Sequence, residues 1–245
     1  MAHQFCFYVP PPVTGSQFIL EGDEAVHAAR VLRLHRNDSL LAVDGEGTRY
    51  YGRIVDIQGT AVRVSIERRW TDPCEQRVRL TLVSAVPRGA RSDWLVEKAT
   101  EIGVSAIVPL VTAHSTPVKT VRISRWKRVA LTAMKQSGRA YCPRILEPMT
   151  FETALRFSRQ AQAFIAQPHS GSDDPARIRR LPDSVSELVL YVGPGEGFSE
   201  NEIAMARERS IQPLSLGTFR LRTETAALVG AHLLLSSASD LSGER

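Results

Sequence analysis

The 245-residue chain carries only three cysteines, Cys6, Cys74 and Cys142. They are widely spaced, odd in number and free of any Cys-x-x-Cys pair, so the pattern offers neither a disulfide framework nor a zinc site, and no metal is expected. Long hydrophobic runs are also missing. The longest late apolar stretch, 226–235, falls well short of the roughly 20 residues that a membrane span needs and contains His232. Residues 1–20 lack the basic start and apolar stretch of a secretory leader. The expectation is a protein of a reducing cytoplasm with no membrane partner. No Gly-x-x-x-x-Gly-Lys-Ser/Thr occurs, and no Gly-x-Gly-x-x-Gly opens the first βα unit of a domain, which weighs against ATPase and dehydrogenase chemistry.

What is present supports a folded chain. A hydrophobic content of 43% is enough for a substantial buried core. The 31 Lys and Arg against 26 Asp and Glu leave a net charge of +5, which permits a polyanionic partner without establishing one.

From residue 5 to about 70 the chain reads as strands, at 5–9, 17–20, 39–43, 48–57 and 61–66, punctuated by the turn residues Asp44-Gly45 and Gly59 and interrupted by one helix at 23–32. After the polar stretch Thr71-Asp72-Pro73 the rhythm changes. Apolar strands at 78–86, 106–110, 163–166, 187–192 and 213–216 alternate with amphipathic helices near 90–102, 124–137, 150–159, 199–209 and 224–236, the pattern of an α/β domain with a mainly parallel sheet. The expected division is 1–72 and 73–245. Gly103 is placed to end the helix 90–102 with a left-handed cap, and Ser199 with Glu202 three residues later forms a capping-box pattern.

Two late segments stand out. Leu188-Val-Leu-Tyr-Val-Gly193-Pro194-Gly195-Glu196-Gly197-Phe198-Ser199 is an apolar strand running into a glycine-rich loop and a capped helix, where a ligand can approach the backbone closely. Read alone, it is as consistent with a tight strand-to-helix turn. Leu214-Ser-Leu216-Gly217-Thr-Phe-Arg220-Leu221-Arg222-Thr-Glu224 repeats the design, with Arg222 and Glu224 at the mouth of the final helix, whose first amides favour anions. Glu224 as a dipole partner and Arg222 as a surface cation are the plainer readings of each.

Together these loops resemble the SPOUT-class methyltransferases, in particular the bacterial 16S ribosomal RNA uridine N3-methyltransferases. Other segments agree in order: His27-Ala-Ala-Arg30-Val-Leu-Arg33-Leu, Glu97-Lys98-Ala-Thr-Glu101-Ile-Gly103-Val, and Gln136-Ser-Gly-Arg139 with Pro143. The first loop of that family usually reads Gly-Pro-Glu-Gly-Gly, whereas here Gly195 and Glu196 stand in the reverse order, and Cys6 occupies a place before Phe7-Tyr8 where arginine is common.

The resemblance implies a small PUA-like β-barrel over 1–72 followed by a SPOUT domain over 73–245 with its end drawn through a deep trefoil knot. It also implies a homodimer and S-adenosylmethionine as cofactor. The cofactor pocket it implies is Gly193, Pro194, Gly195, Gly197, Leu216, Gly217, Leu221 and Arg222. Substrate would be 16S ribosomal RNA or the small ribosomal subunit.

Methylation at N3 of uridine requires a weakly acidic proton to leave before or during attack on a sulfonium carbon. Arg222, always protonated, is the candidate to stabilise negative charge on the uracil oxygens. The base is Glu224 or water, and the sequence does not choose. For RNA the candidates are His27, Arg30 and Arg33 on one helix flank, Arg88 after the first strand of the second domain, and Arg139. Trp70, Trp94 and Trp126 are expected in cores, and His169 after Pro168 is a loop histidine with no settled role. An RNA-binding or assembly protein with a weakened methyltransferase site is the alternative, with an unrelated nucleotide-using α/β enzyme behind it.

Overall fold

In the computed structural model, which describes residues 6–71, 78–115, 122–167, 181–182 and 184–238, the N-terminal sheet has five strands. They are β1 (Cys6–Tyr8), β2 (Gln17–Glu21), β3 (Ser39–Val43), β4 (Thr48–Gln58) and β5 (Ala61–Thr71). Their order is β1-β3-β4-β5-β2, antiparallel throughout except for the parallel pair β1–β3. Alternation along β2 sends Phe18 and Leu20 inward while Gln17, Ile19 and Glu21 face out. Phe7 from β1 and Phe18 and Leu20 from β2 enter one core with Ala42, Tyr50, Ile54, Val62 and Val64. Strands from opposite edges of the sheet thus feed the same interior, so the sheet curls around it.

The helix expected at 23–32 departs from a plain α-helix. Helix α1 (Gly22–Val26) continues as a π-helical turn over His27–Val31, closed by the Leu32 amide on the His27 carbonyl at 2.9 Å. The wider turn changes which residues stack, so the three-residue spacing of His27 and Arg30 no longer has its α-helical meaning. Arg33 follows in a left-handed conformation, φ 53.

The chain divides into two compact units, Met1–Glu75 with Leu131–Cys142, and Gln76–Ala130 with Pro143–Arg245. Helix α3 (Ile123–Ser137) therefore gives its first half to one unit and its second half to the other. Within the first unit Met134 and Ala140 pack on Val43 beside Cys6, Tyr8, Leu131 and Cys142. Gly47 makes this possible: with φ 107, a Cβ there would sit 2.1 Å from the Tyr141 ring, so only glycine fits.

The second unit runs β6 (Arg79–Ala85), α2 (Ala90–Ile102), β7 (Ala106–Val111), β8 (Arg144–Ile145), β9 (Met149–Thr150), α4 (Phe151–Ala154), β10 (Gln162–Gln167), β11 (Glu187–Val192), α5 (Glu200–Glu208), β12 (Gln212–Ser215) and α6 (Thr223–Ala238). The sheet is parallel in the order β12-β10-β11-β6-β7-β8, with β9 also beside β7. The alternation of strands and helices is as expected. The two-residue strands β8 and β9 are additions, and the helix expected at 150–159 divides into α4, capped by the Thr150 hydroxyl accepting from the Thr153 amide, and a 3-10 turn, Leu155–Arg159.

Central strands read as unbroken apolar runs because helices cover both faces. Leu80, Leu82, Val108, Leu110, Leu188 and Leu190 have no exposed surface. Tyr191 is equally buried and keeps its hydroxyl satisfied by donating to the Ala154 carbonyl at 2.9 Å. Gly230 lets α6 lie directly on the sheet, since a Cβ there would come within 2.8 Å of Leu190. Among the described residues no helix is long and apolar enough to cross a membrane.

Candidate active site

Strands β12, β10 and β11 are neighbours, so Gln167, Val192 and Ser215 end side by side at the carboxyl edge of the sheet, where open parallel sheets bind ligands. Two loops leave this edge. The first, 193–199, folds back on itself: the Gly197 amide donates to the Pro194 carbonyl at 2.9 Å, and Gly197 has φ 83. A Cβ on Gly193 would meet the Phe198 ring at 3.1 Å and the Gly197 carbonyl carbon at 3.2 Å, so a side chain there is resisted by backbone as well as by an aromatic ring.

The expected capping box is present. The Ser199 hydroxyl accepts from the Glu202 amide, and the Glu202 carboxylate accepts from the Ser199 amide at 2.8 Å. Glu202 also accepts from the Ala113 amide at 3.0 Å, which ties the turn after β7 to the start of α5. The second loop, 216–222, turns at Gly217 with φ 118.

The loops converge. The Thr223 hydroxyl donates to the Gly193 carbonyl at 3.2 Å, and Arg220 donates to the Gly195 carbonyl. Between them lies a cavity of about 370 Å³. Gly193, Pro194, Gly195, Gly197, Leu216, Gly217 and Leu221, the residues expected to share a pocket, all line it, together with Gln167, Thr218 and Phe219. Phe219 is 85% exposed, a large apolar side chain at the cavity's rim.

Arg222 is placed differently from the expectation. It lines a second cavity of about 350 Å³ on the other side of Pro194, Gly195, Glu196 and Thr223. Arg88, Arg91, His114, Ser115 and Glu224 share that wall. Glu224 is 6% exposed and pairs with Arg91 at 3.5 Å, so it holds a cation as well as facing the cavity. His114 places Nδ1 3.3 Å from the Gly197 carbonyl. A carbonyl only accepts, so in this contact Nδ1 carries the proton. One cavity is lined mainly by glycines and apolar groups, and its neighbour carries three arginines.

The other expected residues are scattered. His27, Arg30 and Arg33 are exposed in the first unit, with His27 edge-on to Phe7 at 5.9 Å between centroids. Arg139, expected as an RNA contact at the surface, is 7% exposed, so little of its side chain is open to a phosphate. Trp126 is in a core at 3% exposure, whereas Trp94 is 43% exposed and Trp70 lies half-buried under Arg68 at 4.9 Å. His169 lies outside the described residues.

Sequence reasoning takes Arg91 with Arg88 as basic residues bracketing the loop after β6 and notes Glu196 as a departure in the glycine loop, but it gives no site role to Glu196, His114 or Arg220. Arg91 had a signal, one turn after Arg88 at the start of α2, and Glu196 had one as the sole charge in a glycine loop. His114 had none.

Residues 74–235 match the family described as RNA methyltransferase domain, and residues 20–67 match the RNA methyltransferase PUA domain. Ribosomal RNA small subunit methyltransferase E of Mycobacterium bovis is 32% identical over 251 residues, covering 96% of this chain and 94% of the relative. The chain belongs to this methyltransferase family. The small subunit methyltransferase E of Neisseria gonorrhoeae, a crystal structure bound to S-adenosyl methionine, superposes with a TM-score of 0.86 at 27% identity, covering 98% of this chain and all of the other. A probable rRNA-methyltransferase from Porphyromonas gingivalis does so with a TM-score of 0.81 at 32% identity, covering 95% and 98%.

Proposed function

We propose that this chain transfers the methyl group of S-adenosylmethionine to N3 of a uridine in 16S ribosomal RNA of the small subunit. The observation that carries this reading is the pair of adjoining cavities, one fit for a donor and one for an anionic acceptor. The first suits the cofactor on its own terms. Its volume lies within the roughly 300–1,000 Å³ of small-molecule sites, Leu216 and Leu221 offer apolar walls, and Gly193, Gly195, Gly197 and Gly217 leave backbone open on its lining. Bound there, S-adenosylmethionine supplies an electrophilic methyl group on a sulfonium.

The chain's own groups do the rest. The two loops, fixed to one another through Thr223 and Arg220, hold the donor pocket in shape before any ligand arrives. Arg88, Arg91 and Arg222 line the second cavity, where they suit a nucleotide phosphate and the negative charge that develops on uracil oxygens as its nitrogen loses a proton. We assign the stabilising role at the base to Arg222, and positioning of Arg91 to Glu224. Exposed His27, Arg30 and Arg33 of the PUA-like module, 1–72, are assigned to phosphates of the surrounding RNA.

In the same reading the protein works in the cytoplasm as a homodimer. Support for pairing comes from α6, whose outward positions include Val229 and the 39%-exposed Leu233, an apolar face on a helix already apolar towards the core. The trefoil knot of the SPOUT class belongs to this proposal too: α6 leaves edge strand β12 and returns to pack on α2, β6 and β11, the path that a threaded C-terminal segment takes.

Mass mapping of 16S ribosomal RNA from cells with and without this protein tests the assignment. One N3-methyluridine should vanish in its absence. An unchanged modification map, or a lost methyl on a ribose, refutes it.

A further inference from the structure

Attack by a uridine nitrogen requires an acceptor for its proton, and that acceptor must stand where donor and nucleophile meet. Among the described residues three titratable side chains other than arginine line the second cavity: His114, Glu196 and Glu224. Glu224 is buried and engaged with Arg91. His114 lines the second cavity alone, its Nδ1 turned to the Gly197 carbonyl. Among the described residues four line both cavities, Pro194, Gly195, Glu196 and Thr223, and of these Glu196 is the one with a titratable side chain.

We infer that Glu196 is a catalytic residue, the general base that takes the N3 proton of the target uridine. The inference rests on the uridine-N3 reading above. The step balances without any further reactant. The N3–H bond breaks towards a Glu196 carboxylate oxygen, the electron pair left on N3 forms the new N–CH3 bond, and the S–CH3 bond breaks with its pair passing to sulfur. The products are neutral S-adenosylhomocysteine, N3-methyluridine and a protonated Glu196, which returns its proton to water.

The position has a second consequence. A carboxylate at the junction faces the positive sulfonium, so it favours the charged cofactor over its neutral product. Arg220, holding the Gly195 carbonyl next door, keeps the turn that presents Glu196 in place from the opposite loop.

The test compares wild type, Glu196→Gln and Glu196→Asp in single-turnover methylation of small-subunit ribosomal RNA between pH 7 and 9.5, and measures both cofactor forms by calorimetry. General bases contribute roughly 10²–10⁴-fold, so Glu196→Gln should lose about 100-fold at pH 7. That deficit should shrink as pH rises, because the uracil then loses its proton to solvent, while Glu196→Asp should retain part of the rate. Glu196→Gln should also lower the preference for S-adenosylmethionine over S-adenosylhomocysteine about threefold, the effect of two unit charges ~6 Å apart in a water-like medium, with product affinity unchanged.

An unchanged rate in Glu196→Gln overturns the inference. So does a deficit that stays constant with pH, or a parallel loss of affinity for both cofactor forms, since either would make Glu196 a support of the loop. Failure of the underlying reading is seen separately: wild type would then place its methyl on some atom other than uridine N3, before any variant is compared.

Discussion

Glu202 should be the most sensitive carboxylate in the methyltransferase unit, because one buried group closes a helix and anchors a loop from another strand. It is 5% exposed. One oxygen accepts from the Ser199 amide at 2.8 Å and the Ser199 hydroxyl at 3.1 Å, and the other accepts from the Ala113 amide at 3.0 Å. Bonds to an ionised group contribute roughly 1.5–3 kcal/mol each when no water replaces them. Ala113 is itself exposed and Ser199 is half-buried, so water recovers part of that in a truncated variant. Glu202→Ala should therefore destabilise by about 3 kcal/mol.

The sharper test is Glu202→Gln, which keeps the shape. An amide has one accepting end and one donating end, and both ends of Glu202 face donors, so whichever way the amide turns one N–H meets an NH2. The expected cost is ~1–2 kcal/mol, with unfolding in urea moving to lower concentration at unchanged slope. Thermal unfolding should fall by about 2–4 °C per kcal/mol for a chain of this size. Exchange of the Ala113 amide should quicken in both variants, since its partner is lost or weakened. If Glu202→Gln unfolds within ~0.5 kcal/mol of wild type, the spread of neutral surface substitutions, the shared-carboxylate argument is wrong.

Three further outcomes follow from the geometry. Arg222→Ala should keep the fold and bind S-adenosylmethionine, because Arg222 lines the neighbouring cavity, yet lose roughly 10²–10³-fold in single-turnover methylation; an equal loss of cofactor affinity by calorimetry would place it in the donor pocket instead. Burial pushes the Cys6 thiol up from 9.0 to about 11, against the weaker pull of Arg49 and Lys135. The raised value keeps the protonated form at pH 8, so in a variant with Cys74→Ser and Cys142→Ser, Cys6 should react with a thiolate-specific reagent about 100-fold more slowly in the native state than in urea, and rapid native labelling would contradict that. Replacing Arg30 and Arg33 by alanine should weaken RNA binding and reduce the slope of log affinity against log salt by about 0.7 per lost contact to a single strand; a filter-binding slope equal to wild type would remove both from the RNA face.

Much of the architecture was legible because burial writes itself into the sequence. Strand β11 lies between two others under helices, so Leu188, Val189, Leu190, Tyr191 and Val192 form an apolar run that has few other readings. Helix α5 announced its own start through Ser199 and Glu202. The first cavity has a mark in the sequence through its glycines, since a Cβ on Gly193 would crowd the Phe198 ring and Gly217 adopts a conformation that side chains resist.

Other features depend on partners distant in sequence. The π-helical turn at His27–Val31 leaves no compositional mark, and β8 and β9, two residues each, exist only because β7 offers them an edge. Arg139 looks like a surface cation until the fold buries it. The second cavity was the least legible part. Its wall is assembled from the ends of β6 and β7 and from both late loops, and no local pattern announces that Arg91, His114 and Glu196 will share it.

The first unit borrows twelve residues, Leu131–Cys142, from the middle of the chain. No single cut can therefore release a complete N-terminal module. A fragment ending at residue 75 would lack Met134 and Ala140 from one of its two cores and would leave Gly47 facing solvent where Tyr141 belongs. Such a fragment should be a sticky, poorly soluble product, whereas a version that grafts 131–142 back through a short bridge should dissolve and melt cooperatively. Gene-splitting and domain-swapping between homologues would meet the same obstacle, because inheritance of the module is interleaved along the chain.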